Sequence, residues 1–246
     1  MEDLHSMTQP LYLQIAQHLR EHIINGDYPL NTRIPTEKEL AAALDVSRPT
    51  VRQALTLLEQ EGRLIRVKGS GTFVTEPKIL HESTHFIIGY KEESREHNYR
   101  LRTRVLELQK EKPDQIPFKA LGLAEGERVT RMTRLRWLEG QYNDKPIMYT
   151  TVYVPVRLFP EMDEQNFTDT SFYEMLDSRG LTVMRTSKQL DVIMPPSDIA
   201  VELEISPFEP TIRIASTGYT QNGMAVEYSE SYYPASRSSF KIEINR

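Results

Sequence analysis

Two short capped helices a few residues apart, followed at once by a glycine-tipped hairpin, constrain the front of this 246-residue chain more than any other feature. Thr36-Glu37-Lys38-Glu39 reads as a capping box, with Thr36 at the helix start and Glu39 reaching back from three residues on. Leu40, Ala43 and Leu44 give the short helix behind it, and Asp45-Val46 is a tight connection. Ser47 then caps a second helix, where Pro49 is tolerated because first-turn N–H groups have no intrahelical partner. Val51, Ala54, Leu55 and Leu58 form its buried stripe, and Arg48, Arg52, Gln53 and Thr56 show on the opposite face. Ahead of this pair, Leu11, Ile15, Leu19 and Ile23 recur at helical spacing and should stop at Asn25-Gly26. Asn31 to Pro35 is expected to be loop.

A helix-turn-helix of this kind sets the start of its second helix against base edges in the major groove. Arginine suits guanine and glutamine suits adenine because each forms two parallel hydrogen bonds, about 1–3 kcal/mol of discrimination for a good pair. Arginine and glutamine alone would more readily describe a solvated helix face. The hairpin that follows weighs against that reading. Arg63 to Lys68, Gly69-Ser70-Gly71 and Thr72-Phe73-Val74 make strand, tip and strand, with Arg66 and Lys68 alternating onto one face. A hairpin directly after a recognition helix is the wing of a winged helix, and a tip without bulky side chains approaches a groove closely. Gly69-Ser70-Gly71 lacks the following helix and Gly-Lys-Ser/Thr of a nucleotide loop.

Charge agrees with a local nucleic-acid face. The whole chain carries a formal net charge of −5. Between positions 46 and 75, Arg48, Arg52, Arg63, Arg66 and Lys68 stand against only Glu59 and Glu61. One small face would meet the polyanion, and the rest of the molecule would not.

These residues closely resemble the DNA-binding domain of GntR-family transcriptional regulators. The resemblance rests on Leu11-Tyr12, Ile34-Pro35-Thr36-Glu37, the run from Val46 to Leu55, and Gly69 to Val74. It implies that Arg48 reads a guanine and that Gly69 enters the minor groove. It also implies that Thr36, Lys38, Ser47, Thr50 and Arg52 contact bases or backbone; Gln53 and Lys68 complete the expected set. Asn31 stands where glycine is common, and Lys38 where arginine is common. Lysine is a point donor without a bidentate fork, so looser base preference is expected there.

The winged unit is expected over residues 8–75, with a linker at 76–84 where proline interrupts any period, and a second domain over 85–246. That second part shows an internal duplication at an offset of 79: Tyr149, Tyr153 and Pro155 line up with Tyr228, Tyr232 and Pro234, and Arg134 with Arg213. Each hairpin follows a strand (104–110, 188–194) and a short helix (114–121, 197–203), with another helix near Ser171 to Ser178. Strand, helix, hairpin, repeated, implies an α+β domain with a mainly antiparallel sheet of about six strands.

Arg100, Arg102 and Arg104 alternate, as do Arg134 and Arg136, so each set projects from one face of its strand. Paired guanidiniums suit a bridging phosphate or carboxylate. Surface arginines matched by Glu127 or Glu139 would explain the second pair as well. From Ala225 to Tyr233 the alternation puts Glu227, Ser229 and Ser231 on one face and Tyr228, Glu230 and Tyr232 on the other. Carboxylate, hydroxyl and aromatic groups suit a sugar, although a sheet edge with aromatic cross-strand pairs would look the same.

This half resembles the UTRA effector-binding domain of the HutC subfamily, whose fold is like that of chorismate lyase. Arg134-Leu135-Arg136, Pro146 to Pro155, Ser171-Phe172-Tyr173, and Asn222-Gly223 through Glu227 and Tyr233 carry the resemblance. It implies that Arg134, Arg136 and Ser171 hold a sugar phosphate and that Glu227 and Tyr233 contact the sugar. Thr150 falls where amino-sugar repressors of the group carry a glutamate. Pro234 and Ser238 replace commoner residues.

The expected function is sequence-specific binding of double-stranded DNA by a homodimer on an inverted repeat, with repression relieved by a small phosphorylated sugar. The rivals are a constitutive dimeric DNA-binding protein without effector, and a lyase-like enzyme. Against the enzyme, the chain has no cysteine, no histidine beyond His97 and no clear acid–base pair, so no catalytic residue is assigned. His18 with His22, and His81 with His85, lack a third ligand at metal spacing. No metal or cofactor is expected. Without a signal-peptide pattern, an apolar run of spanning length or cysteines, the chain is expected to be cytoplasmic and to have no membrane partner.

Overall fold

A computed structural model describes residues 9–82, 101–139 and 144–242 and divides the chain into two compact units, 1–78 and 79–246. His85, Arg100 and Asn143 lie outside the described residues.

In the first unit, α1 (Leu11–Ile24) buries Ile15, Ala16 and Leu19 and ends at Asn25, with Gly26 turning the chain at φ +84°. Helix α2 (Glu37–Ala43) starts at the complete capping box: Thr36 N donates to Glu39 Oε2 at 2.7 Å, and Glu39 N donates to Thr36 Oγ1 at 3.3 Å. Helix α3 (Arg48–Gln60) is capped by Ser47 and buries Val51, Ala54, Leu55 and Leu58. Each large aliphatic in this core contributes about 1.5–3 kcal/mol, which a unit of this size needs. Strands β1 (Leu64–Val67) and β2 (Gly71–Val74) form the hairpin, with Leu64 facing Val74 and Val67 facing Gly71.

Residues 31–34 are more than the expected loop. Asn31 N donates to Val74 O (2.9 Å), Ile34 N to Thr72 O (3.0 Å), and Val74 N to Thr32 O (2.9 Å), so this stretch lines the free edge of β2. Asn31 holds φ +62°, a left-handed conformation in which asparagine substitutes for glycine.

The second unit holds β3 (Ile79–Glu82), β4 (Leu101–Glu111), α4 (Gln115–Ala120), β5 (Val129–Leu138) and β6 (Met148–Pro155). After a 3-10 turn at Met162–Glu164 come α5 (Phe172–Asp177), β7 (Arg185–Ile193), α6 (Ser197–Glu202), β8 (Thr211–Tyr219), β9 (Ala225–Pro234) and β10 (Ser238–Lys241). Six strands make one sheet in the order β4-β5-β6-β9-β8-β7, with every neighbouring pair antiparallel. The expected α+β architecture is therefore present, and β9 is a central strand rather than an edge.

Two sequence readings need correction. Residues 79–82, inside the stretch expected to be linker, form β3 and pair in parallel with β10, Ile79 opposite Ser238. His81 is buried there between the rings of Phe240 (4.6 Å) and Tyr233 (5.0 Å). The duplication also has two offsets. The β6–β9 pairing relates Tyr149 to Tyr228 and Tyr153 to Tyr232, an offset of 79. One strand further out, Arg131 pairs with Tyr153 and Arg213 with Tyr232, so the counterpart of Arg213 is Arg131 and not Arg134. Helices α4 and α6 follow this second offset, 82. The connection in the first hairpin is three residues longer, which moves the preceding strand by that amount.

An odd shift exchanges the faces of a strand. Arg131 and Arg213 lie on the face covered by α4 and α6, each answered by carboxylates: Arg131 by Glu107 (2.7 Å) and Glu111 (2.9 Å), Arg213 by Glu230 (2.7 Å) and Asp191 (3.2 Å). Arg102 and Arg104 pack over the Trp137 ring. Arg134 and Arg136 project from the other face, whose apolar cluster includes Met132, Val152, Val154, Phe159, Phe172 and Leu176.

Candidate functional sites

The exposed side of the first unit collects the residues expected to meet DNA. Arg48, Arg52 and Gln53 are exposed on the first turns of α3, Thr36 and Lys38 at the start of α2, and Lys68 and Gly69 at the hairpin tip. Gly69 holds φ +78°. At Gly71 (φ +131°), an added Cβ would lie 2.6 Å from Arg33 Nε, so the hairpin tip accepts little but glycine there.

The side chains are not equivalent. Arg52 forks onto Glu37 of the preceding helix, with Nη2 donating to Oε2 at 2.9 Å and Nε at 3.1 Å. That pair holds the Glu37 carboxyl below its usual range and Arg52 above it, through their hydrogen bond first. Arg66 donates to Thr56 Oγ1 (3.3 Å) and lies near Glu59 (3.6 Å). The hydroxyls of Ser47 and Thr50 share a 2.7 Å hydrogen bond within the cap. Arg48, by contrast, has no ion pair or side-chain hydrogen bond among the described residues, so its fork is available to a base edge. The clamp by Glu37 was missed from sequence; only an acid at the first position of α2 hinted at it.

The second site lies on the sheet face opposite α4 and α6. Arg134 is 4% exposed, with its guanidinium 5.7 Å from the Phe172 ring centre. Its buried Nε has no hydrogen-bond partner. Burial, and then the neighbouring charge of Arg136, pull its pKa well below the ordinary arginine value. Two strands away Glu227 is fully buried, and burial pushes its carboxyl up to about 7 against opposing pulls from Lys188, Ser229, Tyr173 and Arg134. Tyr173 of α5 donates to Glu227 Oε1 at 3.4 Å, whereas the buried Oε2 makes no hydrogen bond. Desolvation and the adjacent carboxylate drive the Tyr173 phenol well above its normal range. Thr150 and Ser231 join hydroxyls at 3.0 Å between the two charged ends.

The structure thus brings Arg134, Arg136 and Glu227 together around Tyr173. Ser171, two residues before Tyr173, is the cap of α5, its hydroxyl accepting from Glu174 N at 3.4 Å. Tyr233 shares the face but lies six residues from Glu227 along β9, about 20 Å of strand, packed on His81 and Phe240. Glu127, a suggested mate for the arginine pair, instead binds Arg157 at 2.7 Å. Lys188 and Ser216 were not singled out from sequence, and only the strand register makes them neighbours of Glu227; Tyr173, named from sequence only within the run Ser171-Phe172-Tyr173, reaches Glu227 from α5.

Family comparison agrees with this two-part geometry. Residues 96–239 match the UTRA domain model, and residues 11–74 match the model for bacterial regulatory proteins of the gntR family. The chain belongs to the UTRA family, with a GntR-type winged helix ahead of the UTRA domain. It is similar to the HTH-type transcriptional repressor NagR of Bacillus subtilis, at 29% identity over 96% of each chain. It is also 26% identical to the mannosyl-D-glycerate transport/metabolism system repressor MngR of Escherichia coli, over 97% of each. Among solved structures, PhnF from Mycobacterium smegmatis superposes with a TM-score of 0.74 at 25% identity, covering 94% of this chain and 99% of that one.

As a GntR/UTRA protein the chain is a DNA-binding transcriptional regulator, and such families are not enzymes. The GntR match runs from the start of α1 to the end of β2; the UTRA match takes in the whole six-stranded sheet. Among the described residues no helix is long and apolar enough to cross a membrane, and no three His, Asp or Glu side chains converge as metal ligands. His22 is engaged by Asp27 at 2.5 Å, with His18 edge-on to it.

Proposed function

We propose that this regulator is a cytoplasmic repressor that binds an inverted repeat as a homodimer and leaves it when a phosphorylated sugar enters the UTRA domain. Residues 8–75 read DNA and residues 85–246 bind effector and dimerise. Arg48 reads a guanine; Arg52 and Gln53 contact neighbouring bases; Thr36, Lys38, Ser47, Thr50, Lys68 and Gly69 fix the winged unit on backbone and minor groove. Arg134 and Arg136 take the phosphate with Ser171, and Glu227 takes sugar hydroxyls, with Tyr233 closing the far end.

The observation that carries this reading is the pair of orphaned buried atoms, Arg134 Nε and Glu227 Oε2, on one sheet face. A buried donor or acceptor without a partner costs about 1–3 kcal/mol, more when charged, and a sugar phosphate supplies both missing partners. That one relative is named for a mannosyl-D-glycerate system supports a sugar-derived ligand.

The test selects duplexes from a randomised pool with the full-length protein, then titrates phosphorylated sugars into the complex at fixed salt. Release with at least a tenfold loss of affinity, a coupling of about 1.4 kcal/mol, is expected. Tight sugar-phosphate binding with unchanged duplex affinity would refute the coupling and favour a constitutive binder.

A further inference from the structure

Residues 31–34 do more than line the hairpin. Arg33 lies opposite Phe73 of β2 in an antiparallel bridge, which makes this stretch a third strand of the wing. Opposite residues in an antiparallel pair share a face, and alternate residues along a strand return to it. Arg33, Phe73, Ile65, Gly71 and Val67 therefore lie on one face of the wing, and Arg66 with Thr72 on the other. The Arg66 face is turned to the recognition helix, since its guanidinium donates to Thr56 of α3 at 3.3 Å. The Arg33 face is the outer one, where Ile65 and Val67 stand exposed.

The side chain of Arg33 leans toward the hairpin tip. Gly71 sits two residues nearer the turn than Phe73, about 6–7 Å along the strand. A Cβ added at Gly71 would meet Arg33 Nε at 2.6 Å, Cδ at 3.1 Å and Cζ at 3.2 Å. The two glycines of the tip thus differ in what they permit. Around Gly69 the space is open and the tip stays slim, whereas Gly71 leaves the slot that the Arg33 side chain fills.

Arg33 is exposed and has no ion pair or side-chain hydrogen bond among the described residues. Its charge reaches Glu39, but that carboxylate is tied to Thr36 N (2.7 Å) and Thr36 Oγ1 (2.8 Å). Arg63, the other cation of the same alternation, stands at the base of the hairpin beside Glu61 (3.6 Å). Near the tip the wing therefore carries two exposed cations: Arg33 on the outer face, and Lys68 at the turn, two residues on from Arg66. A minor groove is about 6 Å wide, and the phosphates of the two strands form its walls. A thin hairpin with positive charge toward either wall fits that shape, and a guanidinium fork matches a phosphate.

We propose that Arg33 is a DNA contact of the wing: its guanidinium, seated on Gly71, forks onto a phosphate of one strand while Lys68 meets the other strand, so that the hairpin is held between the two backbones. This rests on the reading above that the tip enters the minor groove.

Phosphate-ethylation interference and anisotropy of the full-length protein on a selected duplex test it. Arg33→Ala should weaken binding about fivefold or more, alike on all single-substituted duplexes, and reduce the slope of log affinity against log salt by about 0.9. Arg33→Lys should keep the slope and most of the affinity. In each half-site Arg33→Ala should abolish interference at a phosphate of one strand, and Lys68→Ala at a phosphate of the other. The double variant should lower the slope by about 1.8. Arg33→Gln repeats the measurements should the Ala variant melt early. If Arg33→Ala and Arg33→Gln leave affinity within twofold and the slope unchanged, or if the Arg33 and Lys68 variants lose phosphates of the same strand, the clamp is refuted while base reading by Arg48 survives. If the wild type selects no duplex, both fall.

Discussion

The exposed face of α3 and the inner face of the UTRA sheet both present arginines, in opposite electrostatic circumstances. On α3 the cations stand in water. Arg52 and Arg66 are answered by Glu37 and Glu59 across the surface, while Arg48 is solvated. Such exposed pairs are worth about 0–1 kcal/mol and exchange easily for phosphate contacts. On the sheet, Arg134 is out of water with an unsatisfied Nε, beside a second guanidinium and a carboxyl pushed up to about 7. The difference bears on what is proposed for each site. On the proposed reading, one surface is complete without its partner and recognises by geometry, whereas the other is held at a cost that a ligand would remove.

The sharpest way to break that contrast is Arg134→Met. Removing a buried cation whose Nε has no hydrogen-bond partner should lower sugar-phosphate affinity more than 100-fold by calorimetry. It should also raise the stability of the ligand-free protein by about 1–4 kcal/mol in urea melts. A destabilised variant would mean that Arg134 is satisfied within the protein.

Next in size is the pH response of Glu227. Its carboxyl value is raised from 4.5 to about 7, so the unfolded chain ionises first. Stability should therefore fall as pH rises from about 4.5 to about 7, by about 3 kcal/mol, and this contribution should be flat on either side. Glu227→Gln should abolish that slope in melts across the window; an unchanged slope would assign it elsewhere.

On α3, Arg48→Ala should cost about 1–3 kcal/mol and relax preference at one base pair, read by anisotropy on single-substituted duplexes. Smallest is Lys68→Ala, which should weaken all duplexes alike and reduce the slope of log affinity against log salt by about 1. If the two variants behaved identically, base reading would not belong to Arg48.

Much of the winged unit was legible because its signals are local. Thr36 with Glu39, Ser47 with Pro49, and the glycines at 69 and 71 each fix a backbone conformation within three or four residues. The contacts of residues 31–34 with β2 were not legible, since they join segments about 40 residues apart. In the UTRA domain the repeat revealed strand, helix and hairpin, and the alternation along β9 put Glu227 on the correct face. It misaligned Arg213 with Arg134, because three extra residues in one connection move a strand without leaving any mark on the strand itself. Lys188 stayed hidden for the same reason: it reaches Ser216 through register, not through spacing along the chain.

The most direct measurement follows fluorescence anisotropy of a selected duplex on full-length wild type and Arg134→Met while the tightest-binding sugar phosphate is added at constant salt. Both proteins should bind the duplex equally, and only the wild type should let go as ligand rises. Release of the variant at the same ligand concentration, or retention of the duplex by the wild type at saturation, would contradict the assignment of the buried arginine to the ligand that governs DNA binding.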